Sequence, residues 1–197
     1  MKLALIGLGS VGRGVAHVVK NDPRFKIVAA ADSKSGAVNP DGLDIDRLLQ
    51  GKKETGRIGT PDWTAFRIAA EVDYDVLVEV TPTNAETGEP ALSTIKIALS
   101  RGKHVVTSNK GPISLYYREL ESLAEENGVS LRFEGTVAGA VPIINGIRNG
   151  LAGNKVKALF GVLNGTCNYI LSRMEEEGLT YVQALAEARD LGYAEAD

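Results

Sequence analysis

The run Gly7-Leu8-Gly9-Ser10-Val11-Gly12 constrains the fold of this 197-residue chain more than any other stretch. It follows an apolar run at residues 3–6. It opens a segment in which Val11, Val15, Val18 and Val19 recur at helical spacing. A second apolar run, residues 27–31, ends at Asp32, 20 residues beyond Gly12. Strand, glycine turn, helix, strand and terminal acid, in that order, form a dinucleotide-binding fingerprint. The first glycine permits the tight turn, the second lets backbone approach a pyrophosphate, and the third lets the helix pack closely on the strand. The unpaired N–H groups and dipole at the helix N-terminus then favour the anion. A glycine-rich turn without a ligand is the competing explanation, and the glycines alone do not exclude it. The flanking strand, helix and acid favour the nucleotide. Asp32 is placed to accept hydrogen bonds from ribose hydroxyls, which suits NAD. Ser33 and Lys34, with Arg13 in the glycine loop, suit the 2′-phosphate of NADP.

The pattern continues as alternating strands and helices. Residues 75–80, 104–107 and 131–137 read as buried strands. Leu92, Ile95 and Leu99 mark one helix. Tyr116, Leu120, Leu123 and Ala124 mark another, with Glu119, Glu121, Glu125 and Glu126 on its outer face and Gly128 at its end. Residues 35–42 and 51–62 are read as loops, with a short helix at 46–50. The strands are apolar throughout rather than alternating, so a parallel sheet covered on both faces is expected. Right-handed crossovers make it a doubly wound, Rossmann-type α/β sheet over residues 1–137. The texture then changes. Val141, Ile144, Ile147 and Leu151 suggest a helix, and residues 155–163 alternate like a strand. Ile170, Leu171 and Met174 suggest a helix ending at Gly178, and Thr180 a cap for one over 181–191. Residues 138–197 are read as the start of a second, α+β domain.

Composition narrows the functions. Net charge is −3 and the isoelectric point is near 5.5. No basic excess exists to neutralise phosphates, so a nucleic-acid partner is not expected. One Cys and two His are too few for a disulfide framework or a Cys/His zinc site. No uncharged run is long enough to span a membrane. The N-terminal apolar run ends in glycines with no small-residue cleavage site, so it reads as a strand rather than a signal peptide. A cytoplasmic, reduced protein is expected.

Three further stretches carry chemistry. Thr81-Pro82-Thr83-Asn84 follows the strand at 75–80, and in such sheets ligands bind at the carboxyl ends of strands. A proline-containing turn with no ligand explains it equally well. Thr107-Ser108-Asn109-Lys110-Gly111-Pro112 follows the next strand. A desolvated Lys110 at the strand end would handle a proton or bind a carboxylate, although most lysines simply lie in solvent. Asn164-Gly165-Thr166-Cys167-Asn168-Tyr169 precedes a helix that Thr166 or Cys167 is expected to cap, with Cys167 read as a small buried residue. His104 and His17 are assigned to structure and surface.

Taken together, GLGSVGRGV, DVLVEVTPTN, GKHVVTSNKGP, FEGTVAGAVPII, GVLNGTCNYIL and ARDLGYAEAD resemble homoserine dehydrogenases, in order and along nearly the whole chain. The resemblance implies a Rossmann domain followed by a substrate and dimerisation domain. It implies NAD(P)-dependent interconversion of L-homoserine and L-aspartate 4-semialdehyde, a step toward threonine, isoleucine and methionine. It assigns Lys110 as the active-site lysine, and Gly165, Thr166, Tyr193 and Glu195 to the amino-acid substrate. The cofactor residues it supports are Gly7, Gly9, Ser10, Val11, Gly12, Asp32, Ser33, Lys34, Thr81, Pro82 and Lys110. It also implies a homodimer, and a monovalent cation such as Na+ at Glu134, Val137 and Gly139. The family signature continues past GYAEAD with more acids and a second lysine. The expectation is therefore a sound cofactor domain with an incomplete active site. Two other readings are an NAD(P)-binding module without turnover and a related oxidoreductase acting on another amino acid. Lys110, Thr166 and Glu195 argue against the first, NGTCNY and GYAEAD against the second.

Overall fold

Two apolar strands, β1 (Lys2–Ile6) and β4 (Val76–Glu79), lie side by side at the centre of a six-stranded sheet. The others are β2 (Lys26–Ala31), β3 (Gly36–Val38), β5 (His104–Thr107) and β6 (Leu131–Arg132), in the order β3-β2-β1-β4-β5-β6. Five strands run parallel, and β3 pairs antiparallel with β2 at the edge. The computed structural model describes residues 1–194, which fall into two compact units, Met1–Thr136 and one beginning at Val137.

Both faces of the sheet are covered, which is why its strands carry no polar alternation. On one face Leu3, Leu5, Val76 and Val78 pack with Ala16 of α1 (Ser10–Val19) and with Ile45 and Leu48 of α2 (Ile45–Thr55). The helices α3 (Ala65–Glu71), α4 (Ala91–Ser100) and α5 (Lys110–Glu126) pack in succession, α3 on α4 and α4 on α5, against the sheet. Ile68, Ile95, Leu99 and Leu120 contribute their fully buried side chains there. The chain runs outward from β1 to β3 and returns to β4. The strand order therefore reverses between β1 and β4, the switch point at which such sheets bind ligands.

Several local expectations are corrected. Residues 36–38 are a short strand rather than loop. Gly36 makes this possible, because a Cβ there would lie 2.0 Å from the Trp63 carbonyl oxygen, and its backbone bridges Thr60. The short helix foreseen at 46–50 is the 11-residue α2. Its Asp44 cap accepts from the Arg47 N–H at 3.0 Å, and two buried side chains suffice to seat it. Nothing in the sequence reading foresaw α3. The strand foreseen at 131–137 is two residues long and passes into a 3₁₀ turn at Glu134–Thr136.

In the second unit, α6 (Ile143–Asn145) continues into a π-helical turn at Gly146–Gly150. α7 (Gly165–Glu177) and α8 (Tyr181–Asp190) pack through Ile170, Ala184 and Ala188. Thr180 closes a reciprocal capping box with Gln183. The strand expected at 155–163 is irregular chain instead. Alternation makes a segment suited to a sheet, but a strand needs a neighbour for its N–H and C=O groups. None of the described strands pairs with it, and Phe160 is 93% exposed. Among the described residues no helix is long and apolar enough to cross a membrane.

Leu77 has no exposed surface, whereas Val182 is 74% exposed. Leu77→Ala is expected to cost about 2–5 kcal/mol of unfolding free energy and Val182→Ala less than about 0.5. Urea denaturation of the two variants checks this.

Candidate active site

The glycine turn is a backbone cradle. Gly7 ends β1 at φ +102°, and its N–H donates to the Ala31 carbonyl at 2.8 Å. A Cβ on Gly12 would lie 1.9 Å from the Gly7 carbonyl oxygen, so α1 can sit this close to β1 only with glycine there. The top of the turn is open, with nothing within 4 Å of the space a Gly9 side chain would fill. Gly9 is also the N-cap of α1, and no side chain caps the helix. Ser10 and Val11 are exposed. An open turn with uncapped helical N–H groups fits a pyrophosphate, which needs donors and close backbone approach. The Arg13 Nε donates to the Gly9 carbonyl at 3.3 Å, so this guanidinium lies over the turn.

Asp32 at the end of β2 is more occupied than the sequence suggested. Its Oδ1 accepts from the backbone N–H groups of Lys34 and Ser35, both at 2.8 Å. Its Oδ2 forms an ion pair with the Lys52 ammonium at 2.7 Å, and the Asp32 side chain is only 7% exposed. Burial alone pushes the Asp32 carboxyl up. The Lys52 ammonium and the two N–H groups outweigh it and hold the group below the ordinary carboxylate value. Lys52 went unnoticed in the sequence because only the packing of α2 brings it to Asp32. Ser33 and Lys34 are exposed beside the pair.

The loops after β4 and β5 are stitched into one surface. The Asn109 amide nitrogen donates to the carbonyls of Thr81 (3.2 Å) and Pro82 (3.3 Å). Gly111 abuts the first loop, since a Cβ on it would lie 2.4 Å from the Asn84 carbonyl oxygen. The glycine turn touches the same surface. A Cβ on Gly7 would lie 2.6 Å from the Val80 carbonyl oxygen and 2.9 Å from the Thr81 nitrogen. Thr81 is half-buried and Pro82 exposed. Lys110 is the first residue of α5, whose cap is Asn109. It is exposed rather than desolvated as expected, although Gly111 and Pro112 beside it in the first turn are buried. Beneath these loops lies Glu79, fully buried, which the sequence reading did not single out. The available signal was one acid inside an otherwise apolar strand.

In the second unit the Thr166 hydroxyl donates to the Tyr193 carbonyl, and the Tyr169 and Tyr193 rings lie 4.9 Å apart. Gly165, Thr166 and Tyr193 are thus gathered at the start of α7. The cap there is Asn164, accepting from the Cys167 N–H at 2.8 Å, rather than Thr166 or Cys167. Asn is among the strongest capping residues and lies two residues before Thr166 and three before Cys167. Cys167 is exposed rather than buried, because it lies in the first turn of α7 and the packing against α8 begins further along, at Tyr169, Ile170 and Met174. Glu195 lies outside the described residues. Glu134 belongs to the 3₁₀ turn of the first unit, and Val137 and Gly139 to the second. Among the described residues no group of three His, Cys, Asp or Glu side chains is placed to hold a metal.

A family model described as the NAD-binding domain of homoserine dehydrogenase matches residues 7–134, and one described as homoserine dehydrogenase matches residues 142–197. The chain belongs to the homoserine dehydrogenase family. It is 44% identical to a homoserine dehydrogenase of Methanocaldococcus jannaschii, covering 100% of this chain and 62% of that protein. It is 40% identical to an NAD(+)-dependent homoserine dehydrogenase of Pseudomonas canavaninivorans, covering 100% of this chain and 60% of the other. Among solved structures it is similar to a hyperthermophilic archaeal homoserine dehydrogenase in complex with NADPH, with a TM-score of 0.86 and 31% identity over 100% of this chain and 62% of that one. The chain thus spans about three fifths of the length of these relatives. The family carries an NAD(P)-binding Rossmann-like domain, and the sheet and glycine turn described above are that domain.

The Asp32 carboxyl is lowered in the folded chain, so the stability it contributes is present above the unfolded value of about 3.9 and is lost as pH falls through the lower folded value. Asp32→Asn is expected to be less stable than wild type near neutral pH. That gap should narrow as pH falls from about 5 to about 3, read by urea denaturation at each pH.

Proposed function

We propose that the complete protein interconverts L-homoserine and L-aspartate 4-semialdehyde with a nicotinamide cofactor. One observation supports this most. The glycine turn, the Thr81 loop and the Asn109–Lys110 corner touch in sequence at the switch point of the sheet. That arrangement puts pyrophosphate donors and a lysine on one surface. Bound there, the cofactor supplies the hydride acceptor or donor. Oxidising the alcohol removes a hydride from carbon and a proton from oxygen. In this reading Lys110 holds the substrate oxygen and moves that proton, stabilising the charge that develops. Gly165, Thr166, Tyr193 and Glu195 hold the amino-acid end of the substrate. The uncapped amides of Ser10, Val11 and Gly12 hold the pyrophosphate.

The proposal for the adenosine end rests on the Asp32–Lys52 pair. Ribose hydroxyls approach Asp32, while Lys52 and the exposed Ser33 and Lys34 offer donors to a 2′-phosphate. Both NAD and NADP are accommodated in this reading. The resemblance extends the proposal to a monovalent cation at Glu134, Val137 and Gly139 and to a homodimer, and the sequence reading to a cytoplasmic location. The exposed apolar side chains of residues 156–163 support association with further protein surface.

The test is reduction of NAD(P)+ by homoserine, on this chain and on one of the length of its relatives. Lys110→Ala in the longer protein is expected to lower kcat by about 10²–10⁴-fold. Cofactor binding without homoserine turnover in the longer protein would contradict the proposal and favour a binding module or another substrate. Lys52→Ala is expected to raise the Kd for NADPH about tenfold while changing that for NADH less than about threefold, by fluorescence titration.

A further inference from the structure

Glu79 has no exposed surface, ends a central strand, and takes no direct part in the proposed reaction. Among the described residues no Lys, Arg or His side chain pairs with it, and its partners are all uncharged donors. Oε1 accepts from the Thr81 N–H at 2.9 Å and from the Thr81 hydroxyl. Oε2 accepts from the Thr107 hydroxyl at 3.1 Å. Each hydroxyl is in turn an acceptor. The Asn109 N–H donates to Thr107 Oγ1 at 3.0 Å, and the Asn109 side-chain amide donates to Thr81 Oγ1 at 3.2 Å. A hydroxyl has one proton to give. With the carboxylate ionised, both protons have acceptors and the chain of donors runs one way, from Asn109 through two threonines to Glu79. Protonating Glu79 would turn one of these contacts round and leave a threonine proton without its carboxylate acceptor. Burial holds the carboxyl above the ordinary carboxylate value, and the donors from Thr81, Thr107 and Asn109 offset part of that rise.

The far end of this chain is the start of α5. Asn109 Oδ1 accepts from the Gly111 N–H at 3.1 Å, capping the helix whose first residue is Lys110. We propose that Glu79 is a positioning residue for Lys110: as a buried acceptor it orients the Thr81 and Thr107 hydroxyls, which fix Asn109 and thereby the helix corner that presents the lysine. The inference rests on Lys110 handling the proton. A carboxylate gives both threonine protons an acceptor, and an amide does not. Glutamine has one acceptor oxygen: with that oxygen on Thr81, its NH₂ would donate to Thr107 Oγ1 and the Thr107 proton would lose its acceptor; turned the other way, its NH₂ would face the Thr81 N–H as donor against donor.

Glu79→Gln keeps the side-chain volume and tests this in the full-length protein. Wild-type turnover of homoserine comes first, and its absence with cofactor binding intact overturns the functional reading before any variant is considered. With wild type active, Glu79→Gln is expected to lower kcat ten- to a hundredfold, with KM for homoserine and cofactor changed less than about threefold. In a Lys110→Ala background the same substitution is expected to change single-turnover rates less than about twofold, because its effect runs through the lysine. An unchanged kcat in the single variant overturns the proposal. So does an equal loss in both backgrounds, which would mark Glu79 as a general structural residue. Should Glu79→Gln fail to fold, Thr107→Val removes the donor to Oε2 together with the acceptor of the Asn109 N–H, breaking one arm of the same chain, and carries the same comparison.

Discussion

Burial of β1 and β4 on both faces is the constraint from which the rest of the first unit follows. Ala4, Leu5, Ile6 and Leu77 have almost no exposed surface. Strands so apolar need helices on both sides, and parallel neighbours need crossovers, so the doubly wound arrangement is close to forced. The same constraint sets where polar groups appear. They gather at the strand ends, where the chain leaves the core, and the buried Glu79 and Thr107 are the last residues of their strands. Gly7, Asp32, Thr81 and Asn109 all occupy such ends.

At those ends the backbone carries much of the recognition. The glycines let α1 lie against β1 and leave its first amides without side-chain acceptors. Side chains supply the rigidity. Asp32 ties its own turn and Lys52 together, and Asn109 ties the loop after β4 to the helix after β5. Each polar group serves as a cross-brace, so the surface offered to a ligand is largely preformed. This matters for catalysis, because misplacing a group by about 1 Å can cost about 10²-fold in rate.

What the sequence made legible was what local rules dictate. The glycine turn follows from sterics between residues five apart, and the Thr180 capping box from residues three apart. The strands at 27–31 and 104–107 were legible as apolar runs bounded by polar ones. Lys52 and Glu79 were illegible for the opposite reason. Their roles exist only once a helix or a neighbouring strand has packed, and no spacing rule links residue 32 to 52 or 79 to 107. The segment at 155–163 shows a third case. Its alternation was legible, but a strand also requires a partner, and periodicity does not name one. Cys167 shows a fourth. Residue type suggested burial, whereas the turn of α7 on which it falls precedes the part that packs on α8.

The central claim is that the carboxyl ends of β1, β4 and β5 form one preformed nucleotide surface. Amide hydrogen exchange of this chain with and without NADPH tests it most directly. The account predicts slowed exchange at Ser10, Val11, Gly12 and Arg13 together with the loop at 81–84, and little change in α3 and α8. Protection that misses the glycine turn, or no protection at saturating NADPH, would contradict it.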